Sequence, residues 1–138
     1  MKRVLMAFSV VVLLAGCNHP GKDSFELGRQ LERQGRVDEA ITLYEDALTK
    51  EQDNQEYRTT LAAARSGAAS RLMEQARKRL QGGTVSYDQL RSAQTDLEKA
   101  LKADPGNNAV KAQAAGVKAQ MDALLKRAEE LYVASNKA

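Results

Sequence analysis

From Asp23 onward in this 138-residue chain, apolar residues recur at intervals of three and four, and no run alternates apolar with polar long enough to form a strand. Leu, Ala, Glu, Lys, Arg and Gln dominate the same stretch, and these are the residues that lose least on entering a helix. The fold class is therefore all-α, with about five helices over residues 23–138.

The punctuation between the stripes divides them. A first helix is expected to start at Asp23, with Glu26 in capping-box spacing, and to pass through Leu27 and Leu31 to a stop at Gly35. A second carries Val37, Ala40, Ile41, Tyr44, Ala47 and Leu48 on one stripe and ends in Glu51-Gln52-Asp53-Asn54. Asn54 caps a third, which meets no breaker but Gly67 before Gly82-Gly83 and could span about 28 residues, roughly 42 Å. Ser86 with Gln89 caps a fourth, bearing Leu90, Ala93, Leu97, Ala100 and Leu101, until Asp104-Pro105-Gly106 breaks it. Asn107 opens a fifth, running to about Tyr132.

The second and fourth helices align at an offset of 53, which superposes Ala40 on Ala93, Tyr44 on Leu97, Glu45 on Glu98, Ala47 on Ala100, Leu48 on Leu101 and Asn54 on Asn107. Small, large, small at this spacing lets a neighbouring helix approach at each Ala while the large residue fills the gap beside it. The pattern resembles the tetratricopeptide repeat (TPR): Leu27, Gly28, Leu31, Gly35, Ala40, Tyr44 and Ala47 stand at that family's spacings over about residues 22–54. Two positions depart from it, since Ser24 stands beside Phe25 where an aromatic is usual and Gln52 replaces the closing proline. The second copy keeps Ala93, Leu97, Ala100 and Pro105, with Gly82 to Tyr87 as an insertion between its helices. The resemblance implies a TPR-like stack of helical hairpins.

An offset of 53 exceeds the family's usual period of about 34. The excess falls in the third helix, which is read as one continuous element packing first on repeat one through Tyr57, Leu61 and Ala64, then leading repeat two through Leu72, Ala76 and Leu80. The fifth helix, with Val110, Ala114, Val117, Met121, Leu124, Leu125, Ala128 and Leu131, is expected to cap the stack. A coiled-coil oligomer of the third and fifth helices is the competing arrangement, weakened because neither holds strict heptads for long.

The N-terminus is of different material. Of the first 17 residues 13 are hydrophobic; Lys2 and Arg3 precede an apolar run from Val4 to Ala15, which gives way to polar Asn18-His19-Pro20-Gly21-Lys22. This is the layout of an export signal, too short for the roughly 20 residues of a spanning helix. Its end, Leu14-Ala15-Gly16-Cys17, resembles the bacterial lipobox, in which small residues precede a Cys that receives lipid and becomes the mature N-terminus. An ordinary secretory signal or a membrane anchor is the alternative. The resemblance implies a signal peptide over residues 1–16, lipid on Cys17, and a short tether over 17–22. It also accounts for the lone Cys, which has no second Cys to pair with in an oxidising compartment. Asn18 stands where an Asp would imply inner-membrane retention, so the expected location is the outer membrane, facing the periplasm.

Removal of residues 1–16 would leave 19 basic and 18 acidic side chains, so the formal charge of +3 is largely an export signal. Nucleic acid is accordingly excluded as a partner. The remaining charge is uneven: −4 over residues 18–53, +4 over 54–81 and +1 over 82–138, as expected of neighbouring helices of opposite sign.

No catalytic set can be assembled. His19 is the only histidine and sits in the tether; Asp38, Glu39, Glu45 and Asp46 occupy the polar side of a helix; Gly82-Gly83 lacks the Lys-Ser/Thr of a phosphate loop. Tyr57, Tyr87 and Tyr132 are read as core in preference to exposed stacking anchors. No metal, cofactor or small-molecule substrate is expected beyond the lipid on Cys17. The expected function is non-enzymatic binding of an envelope protein or peptide, in a groove lined by Glu26, Arg29, Gln30 and Arg33 of the first helix and Arg77 of the third. Lipoproteins of this kind commonly assist assembly of pili or secretion channels. The layout also resembles the N-terminal region of some secretins of type II secretion and type IV pilus systems, which would make the chain a truncated or separately encoded module. An accessory to an envelope enzyme is a third possibility.

Overall fold

The structure, a computed structural model, describes residues 19–136; the signal segment and Cys17 lie outside them. The described residues form five helices and no strand: α1 (Lys22–Arg33), α2 (Val37–Lys50), α3 (Gln55–Arg79), α4 (Tyr87–Ala103) and α5 (Asn108–Ser135). The all-α expectation and the helix count hold.

Most boundaries follow the capping chemistry. Asn54 Oδ1 accepts from the N–H groups of Glu56 and Tyr57, and Asn107 Oδ1 from that of Val110. Ser86 and Gln89 close a reciprocal capping box, Gln89 N–H to Ser86 Oγ at 3.3 Å and Ser86 N–H to Gln89 Oε1 at 2.9 Å. Gly35, at φ +80°, ends α1 in a Schellman motif, with Gly35 N–H to Glu32 O at 2.9 Å and Arg36 N–H to Leu31 O at 3.0 Å.

The start of α1 departs from expectation. The helix begins at Lys22 with Gly21 as its cap, and no Asp23–Glu26 capping box forms. Packing decides the boundary: Gly21 is wedged where a Cβ would meet Ala47 O at 2.6 Å and the Tyr57 ring at 2.8 Å. Its N–H donates to Glu51 Oε1 at 3.1 Å, so the chain entering α1 is pinned to the α2–α3 turn.

Two cores are strung along α3. Phe25, Ala40, Tyr44, Ala47, Tyr57, Leu61 and Ala64 form the first; Ala69, Ala76, Leu90, Ala93, Leu97, Ala100, Val110, Ala114 and Val117 form the second. The repeat inferred from sequence is physical: Ala40, Tyr44 and Ala47 and their counterparts Ala93, Leu97 and Ala100 are all 0% exposed. α3 is a single helix of 25 residues, about 37 Å long, and passes Gly67 unbroken. Its first half turns Tyr57, Leu61 and Ala64 to repeat one; its second half turns Ala69, Leu72, Met73, Ala76 and Leu80 to α4. Opposite charges do meet across elements, Arg65 with Glu45 at 2.7 Å between α3 and α2, and Arg79 with Asp96 at 2.6 Å between α3 and α4.

Only half of α5 caps the stack. Val110, Ala114 and Val117 are buried and Met121 half-buried, but every residue from Asp122 to Asn136 is exposed. Tyr132 and Tyr87, at 71% and 38% exposure, are therefore not core, because α4 ends its contact with α5 before Tyr132 is reached and Tyr87 lies on the first, outward turn of α4. Tyr57, at 4%, is core as expected.

Candidate functional site

The packing of α1 determines which of its side chains can meet a partner. Phe25 and Gly28 are buried, and a Cβ on Gly28 would fall 2.7 Å from Tyr44 Cε1, so α1 lies against α2 with almost no space between them. The flank next to Phe25 carries Lys22, Glu26, Arg29, Gln30 and Arg33, all exposed. Four of the five residues expected to bind thus share one surface strip.

That strip borders a groove between the N-terminal turns of α1 and α3. Its floor is aromatic: Phe25 stacks on Tyr57 with ring centroids 4.4 Å apart and meets Tyr44 at 5.4 Å in a tilted contact. His19, Lys22, Glu26, Asn54 and Glu56 form its walls. Arg29 extends over the Phe25 ring, its guanidinium carbon 5.9 Å from the centroid, and lies 4.0 Å from Glu26. Phe25 therefore supplies the aromatic that Ser24 does not, one residue along the helix.

The anchor-side end of the groove is rigid. Ser24 Oγ donates to Asp46, and Lys50 Nζ donates to Asp46 Oδ2 at 2.6 Å and to Ser24 Oγ at 3.0 Å, clamping α1 to α2. The ammonium of Lys50 and the Ser24 hydroxyl hold the Asp46 carboxyl below its ordinary pKa. Glu51 gathers Gly21 N–H, Asn54 Nδ2 and the His19 ring around one carboxylate. Tyr44 donates its hydroxyl to Glu32 Oε2 at 2.7 Å, and burial, reinforced by that carboxylate, raises the phenol's pKa well above its ordinary value.

Arg77 is not brought to this strip. Its guanidinium is engaged by Glu74 of its own helix, Nε to Oε2 at 2.8 Å and Nη2 to Oε1 at 2.9 Å. The cleft between the turn after α1 and the middle of α3 is lined by Gly35, Val37, Asp38, Ala68, Arg71, Leu72 and Gln75. Arg77 stands about 160° round the helix from Gln75, so the cation α3 presents there is Arg71. Sequence reading missed Phe25 and Tyr57 as residues of the groove and Arg71 as a residue of this separate cleft. The signal for Arg71 was available: it lies three residues past Ala68, on the flank that continues the Tyr57, Leu61, Ala64 stripe.

The other flank of α1 is apolar. Leu27, 48% exposed, joins Leu31 and Leu43 in an open slot edged by Arg36, Glu39 and Thr42 at the free end of the stack.

This is a helical-repeat body with a side-chain-lined groove and no assembled catalytic constellation among the described residues. Comparison with known families agrees with that class. Residues 24–65 match the tetratricopeptide repeat, and residues 1–18 match the prokaryotic membrane lipoprotein lipid attachment site. Together these support a lipoprotein carrying a TPR-like stack, attached to a membrane through its N-terminus. No characterised protein and no solved structure matches the chain. Among the described residues no helix is long and apolar enough to cross a membrane.

Proposed function

We propose that this chain is a non-catalytic, membrane-anchored scaffold whose groove binds an extended segment of another envelope protein. The observation that carries the reading is the strip formed by Lys22, Glu26, Arg29, Gln30 and Arg33, exposed along one side of α1 above the Phe25–Tyr57 floor. The buried Phe25–Tyr57 pair fixes the base, and separated charges along the wall suit a peptide that pairs its polar groups along the strip. Along the strip the cations Lys22, Arg29 and Arg33 outnumber the carboxylates Glu26 and Glu56 by one, which favours a partner bearing carboxylates. Lipid on Cys17, with Asn18 after it, supports an outer-membrane, periplasm-facing location, and such a location fits a part in assembling a secretion or pilus complex.

Photo-crosslinking in native envelopes tests this, with the probe placed in turn at Arg29, Arg33, Leu27 and Leu43. The expected result is one defined adduct from Arg29 and Arg33, with the Arg33 adduct lost when Glu26 and Arg29 are exchanged. Adducts from Leu27 and Leu43 alone would move the binding surface to the apolar flank and overturn the groove assignment.

A further inference from the structure

The distal half of α5 is an apolar stripe that the fold prepares and then leaves bare. Val110, Ala114, Val117, Met121, Leu124, Ala128 and Leu131 follow one another at alternating steps of four and three, a longer heptad run than the sequence reading allowed. The first four pack on α4, while Leu124, Leu125, Leu131 and Tyr132 stand at 39%, 52%, 63% and 71% exposure. The bare stripe continues an interface already made within the chain.

The residues around Ala128 indicate what covers it. Read outward from that alanine, the segment Leu124-Leu125-Lys126-Arg127-Ala128-Glu129-Glu130-Leu131-Tyr132 has the same apolar pattern in both directions and opposite charge on the two sides. Among the described residues none of Lys126, Arg127, Glu129 and Glu130 is in an ion pair. We propose that two copies of this chain associate through the distal halves of α5, antiparallel and centred on Ala128. In that arrangement Leu125 of one copy is level with Leu131 of the other, Leu124 with Tyr132, and the basic pair Lys126 and Arg127 with the acidic pair Glu130 and Glu129. A parallel pair in register would instead set like charges level with like. The small side chain of Ala128 lets the axes approach where they cross. A single helix pair is a small interface of the weak class, and attachment of both copies to one membrane raises their effective concentration. Because α1, α3 and α5 all lead away from the Gly21 end, antiparallel copies reach one bilayer when the paired axes lie along its surface.

Disulfide crosslinking of the full lipoprotein in its native membrane tests this, because Cys17 is the only cysteine and carries the lipid. Ala128→Cys is expected to give a homodimer under mild oxidation, and the parent chain none. Ser135→Cys is expected to give several-fold less, since antiparallel pairing sets the two thiols about 21 Å apart. K126E/R127E and E129K/E130K, each added to Ala128→Cys, should each abolish the dimer, and coexpression of the two should restore a mixed one. All these positions are exposed in the unpacked half of α5, so an unchanged melting temperature will verify the fold of each variant. Equal crosslinking at Ala128 and Ser135 would mean a parallel pair and overturn the proposal. It is equally overturned by crosslinks to a different protein only, or by none.

Discussion

Gly28 lies beneath the ring of Tyr44 so closely that a Cβ at position 28 would fall 2.7 Å from Cε1 and 2.9 Å from Cδ1. Tyr44 cannot withdraw, being 0% exposed and held through its hydroxyl to Glu32 at 2.7 Å. Gly28→Ala is therefore expected to destabilise the fold by about 1–3 kcal/mol through overpacking. Gly67 provides the contrast: it is exposed in the middle of α3, with open space where a Cβ would be. Gly67→Ala should stabilise by about 0.5–1 kcal/mol, because only the entropy of the unfolded chain changes. Thermal unfolding of the two variants should show shifts of opposite sign.

Asp96 is buried on α4, 6% exposed, and its Oδ2 accepts from Arg79 Nε at 2.6 Å. Arg79→Met would leave a buried carboxylate without that donor, at an expected cost of about 1–2 kcal/mol given that the arginine is half exposed. Adding Asp96→Asn removes the stranded charge and should recover part of the loss. A double-mutant cycle by denaturant unfolding measures the coupling; strictly additive losses would show that the pair contributes nothing as a pair.

The Glu51 carboxyl responds to opposed influences. Partial burial pushes its pKa up, but hydrogen bonds from Asn54, the Gly21 N–H and His19 outweigh this and hold it below the ordinary glutamate value. A carboxyl depressed in the folded state stabilises at pH values above its unfolded pKa, and the contribution is lost as pH falls through the folded value. The difference in melting temperature between the parent chain and Glu51→Gln should thus be full at neutral pH and shrink below about pH 4.3, where glutamate begins to protonate in the unfolded chain. A constant difference down to acid pH would place the effect of Glu51 elsewhere than in its charge.

The hairpins were legible in the sequence because the features that form them are local. Ala40, Tyr44 and Ala47 recur as Ala93, Leu97 and Ala100 on a helical period, and Asn54, Ser86 and Asn107 carry the side-chain oxygens that a first helical turn lacks. What was not legible depends on contacts distant in sequence. Gly21 caps α1 because Ala47 and Tyr57 leave no room for any side chain there, and neither is near it in the chain. Arg77 and Arg71 look equivalent in a basic helix; they part only because the stripe of α3 shifts from one face at Ala64 to another at Ala69, when its partner changes from repeat one to α4. The same holds for Tyr132, which continues a helical pattern past the last residue of α4 able to cover it.

That division of α5 has a direct energetic consequence. Leu97 is 0% exposed between α3, α4 and α5, and Leu97→Ala should cost about 2–5 kcal/mol. Leu131, at 63% exposure, has no core to lose, so Leu131→Ala should stay within about 0.5 kcal/mol in the monomer. Chemical denaturation at low protein concentration makes the comparison. Comparable losses at the two sites would mean that the distal half of α5 folds back onto the body.

Membrane attachment should depend on one atom. Cys17 is the only thiol in the chain, it lies within the segment that matches a lipoprotein attachment site, and no helix among the described residues is long and apolar enough to span a bilayer. A single acyl chain gives only reversible binding, whereas two lipid signals together hold a protein stably. Cys17→Ser should therefore release the protein from membranes washed at alkaline pH, while intact-mass measurement shows the parent chain starting at Cys17 with added lipid and the variant without it. With lipid on Cys17, only Asn18, His19 and Pro20 would separate it from Gly21, which is pinned by Glu51 and Ala47, and the body should be held close to the bilayer surface. Lengthening this segment with a flexible insert after Asn18 should preserve attachment and melting temperature. It should also weaken groove-probe adducts if the partner is presented at a fixed height above the membrane, and leave them unchanged if the partner is free in solution.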